Sequence, residues 1–106
     1  MSVELIFKRN VTVIFNTWVL KMLGGVKIAF FNAGYSSVTI TSGIEGTHSA
    51  TSSHYEGRAL DFRLPSKAPD ANAKVVGLLQ EAVGNDFLVL LETDHIHIQV
   101  KRGVSP

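Results

Sequence analysis

Apolar residues recur three and four positions apart between Val11 and Leu23, which is the spacing of one face of an amphipathic helix. Asn10 is suited to cap the start of this helix, and Gly24 to end it. Polar residues interrupt the segment before it reaches the ~20 apolar residues that a membrane span needs. We therefore predict a helix that covers a sheet and no stable membrane insertion. The apolar stripe consists of Val11, Ile14, Phe15, Trp18, Val19, Met22 and Leu23.

Short apolar segments with strand-like composition follow this helix. Lys27–Phe31 and Val38–Thr41 are predicted to be strands on either side of a turn at Asn32–Gly34. Arg58–Arg63 alternates in the same way, so Asp61 is expected on the face opposite its apolar neighbours. The pattern thus predicts strands connected by turns after one covering helix.

The pattern of apolar residues in the last third of the chain predicts a second helix. Pro69 or Asp70 is suited to open it, and the Gly84–Asn85 pair to end it. Its core-facing residues are predicted to be Ala73, Val76, Leu79, Gln80 and Val83.

A hairpin is predicted after this helix, with strands Phe87–Leu91 and His95–Val100 around a turn at Thr93–Asp94. His95, His97 and Gln99 would share one face of the second strand, because side chains alternate along a strand. The expected fold class is α+β, with a small antiparallel sheet flanked by two or more helices.

Length and charge narrow the classes of protein. The chain has 106 residues with 45% hydrophobic content, which predicts a single domain over residues 1–106. Its formal net charge is +1, and its basic residues are scattered, so no nucleic-acid partner is expected. It has no cysteine, which excludes the usual structural zinc modules.

The four histidines fall in two short polar stretches, 47–61 and 92–97, where carboxylates accompany them. An imidazole and a carboxylate from the first stretch and an imidazole from the second would supply three ligands and leave a fourth position open. Three protein ligands with an open position are typical of catalytic zinc.

Two motifs resemble a known family. Ser52, His54, Gly57, Ala59 and Asp61 spell S-x-H-x-x-G-x-A-x-D, and 95–97 spells H-x-H. Together they resemble the zinc D-Ala-D-Ala carboxypeptidases and L-Ala-D-Glu endopeptidases, whose superfamily includes the hedgehog signalling domain. The resemblance extends from about Val38 to Val100 and implies a peptidase-like fold with the sheet carrying the metal site.

The resemblance implies one Zn²⁺ per chain, with His54, Asp61 and His97 as its ligands. Some members carry an acidic base three positions before the last ligand, which is Asp94 here, and others a histidine two before it, which is His95. For the role of base, Asp94 ranks first, His95 second, and Glu92, five positions before the last ligand, third. Asp94 also suits the turn at which it lies.

One position departs from the family pattern. Many members carry a substrate-binding arginine after a Ser-Gly-aromatic triplet, but here Ser42-Gly43-Ile44 is followed by Glu45. Arg58 or Arg63 is a possible substitute. The candidate substrate-binding residues are Ser52, Arg58 and His48, although a solvated loop position is the commoner role for a residue such as His48.

The expected function is hydrolysis of amide bonds in peptidoglycan stem peptides or cross-bridges. The alternative is a non-catalytic metal-binding module, or a bacteriophage structural or assembly module that retains the fold. Small size without an evident export signal predicts a bacteriophage or prophage product. We expect it in the virion or the host cytoplasm, with its action at the cell wall.

Overall fold

The computed structural model describes residues 2–44 and 57–104. The predicted site residues His48, Ser52 and His54 lie outside these ranges. The strands are β1 (Glu4–Phe7), β2 (Ser37–Ser42), β3 (Ala59–Arg63), β4 (Phe87–Leu91) and β5 (His95–Val100), and the helices are α1 (Thr17–Asn32) and α2 (Pro69–Val83).

The described strands form one mixed sheet with the order β1-β2-β3-β5-β4. The predicted α+β class is confirmed, but the prediction of a purely antiparallel sheet is wrong. β1 lies parallel to β2, because α1 crosses over between them and returns the chain in the same direction. The other neighbouring strands are antiparallel. β1 was not predicted, since its four residues lack a regular alternation of buried and exposed positions.

Helix α1 begins later and ends later than predicted. Asn16, not Asn10, caps its start, and the Asn16 Oδ1 accepts a 2.9 Å hydrogen bond from the Val19 amide. Asn10 instead lies in a turn with a φ of 70°. The helix continues through the Gly24–Gly25 pair, so the prediction of a strand at Lys27–Phe31 is wrong.

The buried stripe explains this continuation. Its period of three to four residues carries on past the glycines, and burial of these side chains offsets the ~1 kcal/mol that each glycine costs a helix. The buried residues of α1 are Val19, Met22, Leu23, Gly25, Val26, Ala29 and Phe30.

Helix α2 and the following hairpin agree with the predicted boundaries. Pro69 begins α2, and Gly84 follows its end with a φ of 87°. The predicted apolar face is partly wrong, since Asn72, Val75 and Leu79 are the buried residues. The Asn72 side chain is satisfied by the Ser66 backbone, accepting from its amide at 3.1 Å and donating to its carbonyl at 2.9 Å.

The core lies between the helices and one face of the sheet. Every second residue of β2, β3 and β5 enters it: Val38, Ile40, Leu60, Phe62, Ile96, Ile98 and Val100. The intervening residues therefore face away from the helices, and that outer face carries the candidate site. Neither helix of the described chain is both long and apolar enough to cross a membrane.

Candidate metal centre

Strand pairing brings the predicted polar residues together on the outer face. β3 and β5 are antiparallel neighbours, with Asp61 opposite His97 and Arg63 opposite His95. All four side chains point the same way, because their neighbours along each strand are buried in the core. Residues that are more than thirty positions apart in the chain thus become direct neighbours.

A bulge in β2 lies beside this group. Ile40 pairs with Phe62 and Ser42 pairs with Asp61, so Thr41 is an extra residue on the β2 side. Bulges bend a strand and redirect its side chains, and they are common next to active sites. Here the bulged Thr41 lines the same cleft as Asp61.

Asp61, His95 and His97 form a possible metal-binding triad, in which one ligand atom from each residue lies within 4.8 Å of the others. The Asp61 Oδ1 is 2.8 Å from the His97 Nδ1 and 3.7 Å from the His95 Nε2. Asp61 and His97 are mostly buried, whereas His95 retains 30% side-chain exposure. The group is therefore sheltered but open on the His95 side.

Each imidazole is also held by a second acceptor on its other nitrogen. The His95 Nδ1 donates to the Asp94 Oδ1 at 2.6 Å, and the His97 Nε2 donates to the Gln99 Oε1 at 2.8 Å. Such contacts fix the ring orientation and the tautomer of histidines that bind metals. The nitrogens left facing Asp61 are His95 Nε2 and His97 Nδ1.

The protonation of His97 reflects its surroundings. Burial acts to lower the pKa of His97, but hydrogen bonds to Asp61 and Gln99 and the negative charges of Asp61 and Glu92 outweigh burial and raise it. Both ring nitrogens of His97 lie within hydrogen-bond distance of an oxygen, Asp61 Oδ1 or Gln99 Oε1, and this arrangement favours the protonated ring. At Asp94, the hydrogen bond from His95 lowers the pKa of the exposed carboxyl.

The nitrogen and oxygen atoms of this triad are suitable ligands for a divalent cation. Neutral imidazole nitrogens and carboxylate oxygens are ligands for zinc and for several other divalent ions. A ligating imidazole must be neutral. Metal binding through the His97 Nδ1 therefore requires loss of the proton that this nitrogen uses in its hydrogen bond to Asp61. Gln99 can retain its bond to the opposite nitrogen.

Two other predicted residues lie away from the triad. The Arg58 guanidinium stacks 4.6 Å from the centre of the Trp18 ring, and its Nη2 donates to the Lys101 carbonyl at 3.0 Å. Glu92 closes the hairpin, since its amide donates to the His95 carbonyl at 2.9 Å. Glu92 lines a cleft next to the one at Asp61, and Asp94 belongs to the lining of both clefts.

Two residues of the site were missed at the sequence level. Gln99 shares the outer face with both histidines, and strand alternation alone could have suggested its role as an acceptor for His97. Lys8 lines the cleft from the end of β1, and no motif pointed to it.

Comparisons with known proteins do not identify a family. No protein-family profile matches the chain, and no curated protein sequence matches it significantly.

Proposed function

We propose that this protein is a zinc-dependent peptidase that hydrolyses amide bonds in peptidoglycan stem peptides or cross-bridges. The proposal is carried by the arrangement of the two imidazoles. In each ring, one nitrogen is hydrogen-bonded to a neighbouring side chain and the other faces Asp61. The choice of peptidoglycan rests on the resemblance of the two sequence motifs. A role in bacteriophage lysis or in a virion belongs to the same proposal.

In this proposal Asp61 and His97 are zinc ligands, and His54, which lies outside the described residues, is the third. His95 is the proton carrier and Asp94 is its positioning residue. Two contacts support this division. His97 is the more buried imidazole and is in direct contact with Asp61, whereas His95 is more exposed and bonded to a carboxylate.

Bound zinc would polarise the amide carbonyl and make water more acidic. The His95 Nε2 then accepts a proton from the attacking water and delivers it to the leaving nitrogen, so that an amine departs. Asp94 holds the His95 Nδ1 proton and thereby keeps Nε2 free to accept. Asp94 also stabilises the imidazolium that forms between the two transfers.

Two histidine variants test the division of roles. His97→Gln should lose both zinc and cleavage of purified peptidoglycan, whereas His95→Gln should retain one zinc per chain and lose cleavage. The readouts are elemental analysis of the purified protein and mass spectrometry of the released peptides. If His95→Gln loses zinc as completely as His97→Gln, His95 is a ligand and not the proton carrier.

A matched pair of aspartate variants tests the positioning role. Asp94→Asn should keep zinc and shift the pH profile of cleavage, because His95 loses its carboxylate partner. The control is Asp86→Asn, which removes another exposed carboxylate, just before the start of β4. Zinc binding without cleavage of any peptidoglycan peptide by the unaltered protein would favour the non-catalytic metal-binding module.

A further inference from the structure

The side of α1 that faces away from the core carries three large apolar residues. Leu20, Ile28 and Phe31 retain 59%, 42% and 46% exposure. At 3.6 residues per turn, their side chains lie within about 80° of one another around the helix axis, and we call this set the outer stripe. Gly24 lies between them, and nothing is found within 4 Å of a Cβ added there. A continuous exposed apolar surface of this kind is typical of an interaction site.

A lysine flanks the outer stripe on each side. Lys27 lies about 20° beyond Leu20 around the helix, and Lys21 lies about 20° beyond Ile28 in the opposite direction. Lys21 is exposed and Lys27 is half-buried. No hydrogen bond or salt bridge between the residues of 2–44 and 57–104 engages either ammonium group. Lysine side chains in such positions lie along apolar surface and keep their charge at its edge.

The charges of the chain are distributed in the same sense. All nine acidic residues lie outside residues 5–44, the segment that contains α1. Four of the ten basic residues lie inside this segment: Lys8, Arg9, Lys21 and Lys27. The segment with the outer stripe is therefore purely cationic, whereas the rest of the chain has more acidic than basic residues.

The same combination of apolar and basic residues occurs next to the start of α1. Phe15 directly precedes the cap residue Asn16 and is 63% exposed. Its ring contacts that of Phe7, with the two centroids 6.5 Å apart. Lys8 and Arg9 follow Phe7 in the chain and are exposed. Exposed apolar rings beside cations thus extend the character of the outer stripe toward the end of β1.

We propose that the outer stripe and its two flanking lysines bind the surface of an anionic lipid bilayer, with α1 lying in the plane of the bilayer. The apolar side chains enter the boundary between headgroups and acyl chains, and the lysines contact the anionic headgroups. A second copy of the chain is a poorer partner, because two packed outer stripes would bring Lys21 and Lys27 against like charges. The inference goes beyond the proposed function and does not depend on it.

The experiment is co-sedimentation of the protein with two kinds of lipid vesicle. One kind contains phosphatidylcholine alone, and the other contains equal amounts of phosphatidylcholine and phosphatidylglycerol. The protein should bind the anionic vesicles and bind the zwitterionic ones much more weakly. Raising the salt concentration to about 1 M should remove most of this difference, because salt screens the attraction between lysines and headgroups.

Single substitutions test the outer stripe. Leu20→Ser and Phe31→Ser should each weaken partitioning into anionic vesicles about tenfold, because less apolar surface is buried. Lys21→Gln and Lys27→Gln should each weaken it about fivefold at low salt.

Two matched controls change the same residue types elsewhere. Leu88→Ser alters an exposed leucine opposite Gln99 on the outer face of the sheet, and Lys74→Gln removes an exposed charge from α2. Both should leave partitioning unchanged. Circular dichroism verifies that each variant keeps the fold.

The outcomes separate this inference from the proposed function, because the vesicles contain no peptidoglycan. Absence of binding to anionic vesicles would overturn the inference, and so would binding that survives the double change of Leu20 and Phe31 to serine. A dimer in solution that Phe31→Ser dissociates, without vesicle binding, would assign the outer stripe to a second copy instead. Vesicle binding that depends on the outer stripe supports the inference even if no peptide is cleaved.

Discussion

Replacement of Asp61 by asparagine tests the metal centre most directly. The substitution keeps the size of the side chain and an Oδ1 that can accept from the His97 Nδ1, which lies 2.8 Å from the Asp61 Oδ1. It removes the negative charge that faces both imidazoles. Any change in metal affinity then reports the loss of a carboxylate ligand and not the loss of shape.

The magnitude follows from the ligand set. Zinc sites with four protein ligands bind with roughly 10–16 kcal/mol, which is about 3 kcal/mol for each ligand. Loss of one ligand should therefore weaken zinc binding about a hundredfold. Because Asp61 and His97 are both mostly buried, solvent screens this loss only weakly.

The assay is competition for zinc against a chromophoric chelator at constant pH. Asp86→Asn serves as the control, because it removes the same charge from an exposed turn before β4. Zinc affinity in Asp61→Asn within threefold of that control would refute the assignment of Asp61 as a ligand.

Further predictions concern protonation and packing. The pKa of His97 is raised in the folded protein, so its contribution to stability is complete below pH 6.5, the ordinary pKa of histidine, and is lost as pH rises through the folded pKa. The melting-temperature advantage over His97→Gln should therefore shrink as pH rises above 6.5. Gly24→Ala should raise the free energy of unfolding by about 1 kcal/mol, because nothing lies near the added Cβ. Gly25→Ala should lower it by about 1–3 kcal/mol, because the added Cβ would overlap Val83 Cγ1. Urea unfolding that gave both changes the same sign would contradict this contact. Phe62→Ala should cost about 3–5 kcal/mol in the same assay because Phe62 is fully buried, and a loss below about 1 kcal/mol would place Phe62 outside the core.

Periodicity over short distances was enough to predict part of the fold. The hairpin of β4 and β5 and the boundaries of α2 follow from alternation, a proline and a Gly-Asn pair within about thirty residues. These signals are local, because strand alternation and helix termini depend on a few neighbouring residues. Asp61, His95 and His97 could be proposed as site residues for the same reason.

The path of α1 was decided by tertiary packing. Gly24 and Gly25 are a local signal for the end of a helix, yet α1 passes through both because its apolar side packs against α2 and the sheet. Gly25 is also where α1 approaches Val83 of α2, a contact between residues far apart in the chain. Helix propensity is a weak prior that burial readily overrides.

The composition of the site was likewise settled by strand pairing. The sequence alone determined which imidazoles and carboxylates could bind a metal and that His95 and His97 share a strand face. Only the register of β3 against β5 placed Asp61 opposite His97, and only the parallel addition of β1 brought Lys8 to the same cleft. Such pairings are non-local, because they depend on which strands meet across the core and not on the order of residues within any one strand.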